Sequence, residues 1–384
     1  MINNKIVYFF ASVPWQWQWQ RQHEWASRLA KNNQVFYIEP LGMNNHGPLK
    51  LIKKLLELFK RSRSQLKHPT ANAESKNIHH IKVVFIPWHN IAWINRLNAH
   101  LIKKQLLRKT RETIDVTDTS GVLTWICNPT DTIVELLSLI RGSTVIYDIA
   151  MRFSKLPDAP AYIVESQNAL AQKADIIIYD SKASLGDLPT EIHNKAHYIP
   201  QGFNEDFFSY NTDQESLEHI PRPRLGYMGA INNAFDVALV AKIAKSLPQT
   251  SIVMIGETSI VPEELKHDNI HFVGHRDIDH IPKILRSLDA GLIPYIVNEF
   301  TAGTFPTKMF EYMMAGLPVI TTALPEMLAF KNHLMIARNY EEFVALAKEA
   351  TTKKTKRIPQ DFLQHHTWKK RFEDIENIFS KANV

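Results

Sequence analysis

Cysteine is nearly absent from this chain: Cys127 is the only one in 384 residues. That excludes an internal disulfide and any zinc site built on cysteines, and it points to a reducing compartment. Also missing is any run near the ~20 apolar residues needed to span a bilayer. The apolar run within Met1–Ala11 is short for a signal peptide and reads better as a first strand. The chain is 45% hydrophobic and 22% charged, the balance of a soluble globular protein. Its length predicts two domains of about 150 to 200 residues each. A net charge of +6 favours an anionic partner, and phosphates, nucleic acid and lipid headgroups all qualify.

Strand and helix patterns alternate along the chain, the mark of an α/β protein with parallel sheets. In the first half, strands are predicted over Lys5–Ala11, Gln34–Glu39, Ile81–Pro87, Gly121–Cys127, Ser143–Ala150 and Asp175–Asp180. In the second they fall over Arg224–Gly229, Ser251–Gly256, Ile270–Gly274 and Asp289–Tyr295. The acidic, proline-bearing stretch from Thr212 to Pro223 reads as the linker between domains 1–215 and 222–360.

The most informative stretch runs from Gly303 to Thr322. Pro306 suits a helix start, and Met309, Phe310, Met313 and Met314 give one apolar face. Gly316 and Pro318 end the helix, and a strand follows. Thr307, Lys308 and Glu311 remain as polar residues at the helix start. A helix N-terminus beside Thr and Lys is a natural anion site; a capped amphipathic helix with exposed Lys and Glu is the plainer account. Gly229, at a strand end, would let a phosphate approach the backbone. Asp148 closes a strand, from where a carboxylate can reach a ligand or simply cap the next segment. Asp277 and Asp279 precede a helix and read as caps, not as a metal pair.

The segment Pro-x-Lys-x-x-Glu-Tyr-x-x-Ala-Gly-x-Pro-Val resembles the nucleotide-sugar-binding segment of GT-B glycosyltransferases, chiefly those of family 4. The pattern of Trp then Arg21-Gln22 before a helix is similar to the start of bacterial polysaccharide glycosyltransferases. The resemblance is strong over Arg224–Pro325 and weak over Gly42–Leu107. It implies two Rossmann-like domains facing across a cleft, with a C-terminal segment, 361–384, crossing back to the first. It implies a nucleotide-sugar donor on the second domain. Thr307, Lys308 and nearby amides would face the pyrophosphate, Glu311 the ribose, and His275 and Tyr295 the base. The family's usual earlier Glu would fall at Gly303, so Glu299 is the candidate replacement. The first domain would hold a glycan or lipid-linked glycan acceptor, with Trp15, Trp17 and Arg21 as candidate contacts and Asp148 as candidate base. Trp faces suit sugar rings, a membrane interface or packing on their own domain alike. No metal or resident cofactor is expected.

Two basic segments lie in the first half, Leu49–His68 and Arg96–Arg111. The former has an apolar stripe through Leu51, Ile52, Leu55, Leu56 and Phe59, a membrane-surface signal. Two such helices in one domain favour attachment to the inner membrane surface through both, 49–68 and 96–111, and the expected location is cytoplasmic, peripheral at the inner face of the cell membrane. No nucleic-acid module accompanies the charge, and no nucleic-acid partner is expected. A nucleotide-sugar 2-epimerase of the same fold and a basic non-catalytic nucleic-acid binder are the rival readings.

Overall fold

The computed structural model describes residues 2–17, 19–42, 76–114, 121–156, 159–208, 217–258, 260–277, 279–352 and 360–382. The basic segment 49–68 and most of the 212–219 linker lie outside the described residues. The chain divides into one unit of Met1–Ile199 with Phe372–Val384 and another of Pro200–Arg371. The division falls ahead of residue 215, where the sequence suggested it. The cause is local: the Phe203 amide donates to the His366 carbonyl at 3.2 Å, and the Phe203 carbonyl accepts from the Trp368 amide at 3.0 Å. Those bonds tie the 200–203 segment to the second unit.

The first unit is built on seven strands among the described residues: β1 (Ile6–Phe10), β2 (Gln34–Ile38), β3 (Ile78–Ile81), β4 (Val122–Ile126), β5 (Ser143–Ile149), β6 (Ile176–Tyr179) and β7 (Ala196–Tyr198). Their order is β3-β2-β1-β4-β5-β6-β7 and every pairing is parallel. Strands such as Ile-Val-Tyr-Phe-Phe in β1 and Ile-Ile-Ile-Tyr in β6 are buried throughout. A parallel sheet covered on both faces requires such unbroken apolar runs.

The predicted strand Ile81–Pro87 is misplaced. The strand that pairs with β2 is Ile78–Ile81, in register Val35↔Ile78 to Ile38↔Ile81. Residues beyond it are satisfied by a helix instead. The Val84 amide donates to Gln105 Oε1, and the Ile86 amide donates to Asn98 Oδ1, both at 2.8 Å. Asn98 Nδ2 returns a bond to the Ile86 carbonyl at 2.7 Å. Apolar composition alone could not distinguish this side-chain-bound segment from a ladder strand.

The second unit holds β8 (Arg224–Met228), β9 (Ser251–Ile255), β10 (Ile270–Gly274), β11 (Ala290–Ile293), β12 (Val319–Thr322) and β13 (Met335–Ala337). Their order is β10-β9-β8-β11-β12-β13, again all parallel. Both units are thus α/β and Rossmann-like, as the sequence predicts. In each, strand order reverses at the first strand, between β1 and β4 and between β8 and β11. Such reversals leave a crevice at the carboxyl ends of the strands, where ligands bind. Among the described residues, no helix is long and apolar enough to cross a membrane.

Candidate functional site

The predicted helix of the Gly303–Thr322 stretch forms over Lys308–Met314, with Thr307 at its cap position in helical geometry. Its end is a Schellman closure. The Leu317 amide reaches the Tyr312 carbonyl and the Gly316 amide reaches that of Met313, both at 3.0 Å. Gly316 sits at φ +77°, as that closure requires. Met309, Phe310 and Met313 are buried. At the other end, the Met309 and Phe310 amides are already engaged by the Pro306 and Thr307 carbonyls, at 3.2 and 2.9 Å. Any anion contact from this turn therefore falls to the amides of Thr307 and Lys308.

Lys308 reaches back over the β8 end. Its ammonium lies 4.3 Å from the centre of the Tyr227 ring and 5.1 Å from that of Tyr295. Two electron-rich faces hold the cation without neutralising its charge. Below it is Gly229, at φ +141°, where a Cβ would stand 2.7 Å from Lys308 Nζ. A Cβ on neighbouring Gly256 would stand 2.5 Å from the Gly229 carbonyl oxygen. Bare backbone and one cation thus meet at the β8/β11 reversal, an arrangement suited to a phosphate group.

Glu311, one turn beyond Lys308, is half-buried, and desolvation pushes its carboxyl up to about 7 against the pull of Lys308. The adjacent Tyr312 hydroxyl accepts from the Met228 amide at 2.7 Å, joining the helix to the end of β8. The preceding loop is braced by Thr301 and Asn298, each side chain accepting from the other's amide at 2.9 Å. Glu299 is exposed in that loop.

The two residues expected near the base lie at different strand ends. Tyr295, just after β11, is buried with its ring toward Lys308. His275 is exposed beyond Gly274 at the end of β10, two strands from β8. At the spacing of adjacent strands that is roughly 10 Å along the sheet edge. Asp277 and Asp279 do not cap the next helix; its cap position is His280.

In the first unit, the expected base is enclosed. Asp148 is fully buried, and its Oδ1 accepts from Arg21 Nε at 3.0 Å and its Oδ2 from Trp125 Nε1 at 3.3 Å. Burial raises its carboxyl above the ordinary value, and the Arg21 guanidinium pulls the other way. A general base must reach the proton it removes, and this carboxylate instead closes a buried ion pair. Arg21 also donates through Nη1 to the Ile199 carbonyl at 2.6 Å, so it is an internal brace and not a substrate contact.

Trp15 is half-buried in an aromatic cage, with ring centres of Tyr37 and His80 at 5.0 Å and His23 at 5.3 Å. Its ring packs edge-on or tilted against its own domain. Trp17 is exposed, and so is Trp19, whose indole N–H donates to Glu24 at 2.7 Å. Asn128 follows two residues after β4. Its Oδ1 is buried without a hydrogen-bond partner among the described residues. Nothing in the local sequence marks it.

Residues 222–352 match the family described as glycosyl transferases group 1. A Bacillus subtilis (strain 168) protein, provisionally named as the teichuronic acid biosynthesis glycosyltransferase TuaH, is 26% identical over 210 residues. That alignment covers 50% of this chain and 53% of the relative, so the chain spans about half the length of the curated relative it matches. Among solved structures, Alr3699/HepE from Anabaena, crystallised with UDP and glucose, is similar over 98% of this chain and 99% of its own, with a TM-score of 0.62 and 14% identity. The α,α-trehalose 6-phosphate synthase from Burkholderia multivorans is similar over 100% and 99%, with a TM-score of 0.64 and 9% identity. At these identities the likeness is one of fold, and that fold is GT-B.

Proposed function

We propose, for a chain whose residues 222–352 match the group 1 glycosyltransferases and whose fold is GT-B, that it transfers a sugar from a nucleotide-sugar donor to a glycan or lipid-linked glycan. The product would belong to a bacterial surface polysaccharide. The observation that carries this reading is the Lys308 ammonium held over bare Gly229 backbone at the β8/β11 reversal. In such a transfer, negative charge grows on the departing nucleoside diphosphate. A fixed cation and oriented amides stabilise that charge, so no metal is required in this scheme. Thr307 would add its amide, Glu311 would accept from the ribose, and His275 would lie toward the base. The acceptor side would use Trp17, with Trp19 added from its exposure. Peripheral attachment at the inner face of the cell membrane belongs to the same reading, with no nucleic-acid partner.

The test is thermal shift with a panel of nucleotide sugars and nucleoside diphosphates on wild-type, Lys308→Ala and Glu311→Ala proteins. A ligand that binds only the folded state raises its stability, by about 2.7 kcal/mol at a hundred times its Kd. Wild-type protein should respond to one nucleotide family, and both variants should lose most of that response. Near-wild-type response in both folded variants would sink the site assignment. Interconversion of the donor sugar without any acceptor would favour the 2-epimerase reading.

A further inference from the structure

We infer that Tyr227 and Tyr295 are positioning residues for the transfer, their rings holding the Lys308 ammonium where a diphosphate can take it up. Both rings are fixed by the fold itself. Tyr227 is buried in β8, its hydroxyl donates to the Ala230 carbonyl at 2.9 Å, and its ring centre lies 4.6 Å from that of Phe235. Tyr295 follows β11 and is tied at its backbone from two sides. Its carbonyl accepts from the Thr322 hydroxyl at 2.7 Å. It is also bridged to Phe235, with the Asp236 amide donating to the Pro294 carbonyl and the Ile296 amide to the Ala234 carbonyl, both at 2.8 Å. Phe235 thus braces both tyrosines, and their rings converge on one ammonium at the β8/β11 reversal. Rigid supports of this kind keep a charged group in register with its ligand.

Holding the cation by rings and not by a carboxylate is what keeps it available. Among the described residues no carboxylate forms an ion pair with Lys308. Glu311 feels the Lys308 charge without pairing to it. A carboxylate in contact would neutralise the ammonium and repel a diphosphate, whereas a ring quadrupole attracts the ammonium and leaves its full charge in place. Burial raises the Tyr227 hydroxyl well above its ordinary value, so it stays protonated and no phenolate takes the carboxylate's part. The hold is also weaker than a charge-assisted bond to phosphate, so an arriving diphosphate can draw the ammonium onto itself. Removing a ring would leave Lys308 its charge but not its place.

This inference rests on the donor reading, so its test separates the two failures. Full-length protein is titrated by calorimetry with UDP, ADP, GDP and dTDP. The variants are Tyr295→Phe and Tyr227→Phe, each then repeated with phenylalanines carrying one, two and three ring fluorines. Fluorine keeps the ring's shape while draining its face of negative charge. Tyr295→Phe should keep affinity within about threefold of wild type, because the ring remains. From either Phe variant, affinity for the diphosphate that wild type binds should then fall stepwise with fluorine, by about tenfold at three, with melting temperatures level across the series. A merely structural ring would leave the series flat, so a flat series overturns the inference. So does a change at 295 that reorders the four diphosphates instead of weakening the bound one, since that places the ring against the base. Wild-type protein that binds none of the four overturns the donor reading and this inference with it. Loss of binding in Lys308→Ala together with a flat fluorine series overturns this inference alone.

Discussion

A Cβ on Gly229 would stand 2.7 Å from the Lys308 ammonium, so the cation lies where any other residue would put a methyl group. The backbone there, at φ +141°, also disfavours any side chain. Gly229→Ala should therefore displace the ammonium, a movable side-chain end, more than it disrupts the core. The expected cost is about 1–3 kcal/mol in stability by urea unfolding, with a loss of roughly tenfold or more in nucleoside diphosphate affinity by calorimetry. Unchanged affinity would separate Lys308 from the donor.

Asp148 and Arg21 form a buried pair, and removing one member leaves the other charge uncompensated. Asp148→Ala should cost about 3–5 kcal/mol in urea unfolding. Arg21→Met combined with Asp148→Leu should cost less than the sum of the single changes. Asp148→Asn, studied where it remains folded, should keep some transfer activity. Complete loss of turnover in folded Asp148→Asn would restore it as the base.

The Glu311 carboxyl is raised from 4.5 to about 7 in the folded chain. A proton is thus held more tightly folded than unfolded. Its stabilising contribution is full below about pH 4.5 and is lost as pH rises through about 7. Glu311→Gln should remove that dependence, so the variant should gain stability over wild type at pH 8 relative to pH 5. Parallel stability profiles for the two proteins would place Glu311 in open solvent.

Asn98 accepts from the Ile86 amide and donates to the Ile86 carbonyl. Asn98→Leu leaves the Ile86 amide without that partner, while the Ile86 carbonyl still accepts from the Trp88 amide at 2.8 Å. A loss of about 1–3 kcal/mol by urea unfolding is expected, the cost of one unsatisfied group. A loss below ~1 kcal/mol would mean that water replaces the side chain readily.

The strand and helix order was legible in the sequence where one local rule acted alone. Continuous apolar runs marked β1, β6 and β9, and Gly316 with Pro318 marked the helix end before β12. Ile81–Pro87 was misread because its pairing partner is a set of side chains on Gln105 and Asn98, remote in sequence. The same limit applies to Asp148. A carboxylate at a strand's carboxyl end reads identically whether it faces a ligand or an arginine more than a hundred residues away.

Gly229, Thr307 and Lys308 could be named as anion-site candidates from their local pattern, since a strand-end glycine and a helix start offer one in any context, whereas Glu311 was named from the family resemblance. Tyr227 and Tyr295 as the holders of Lys308, and Asn128 beside β4, could not. Their roles depend on which strand ends the parallel order β10-β9-β8-β11 and its counterpart bring side by side. Charge and period along residues 93–111 are likewise properties of the chain itself. Which side of that helix stays uncovered was settled by packing, because both sides carry leucines and only one finds the core.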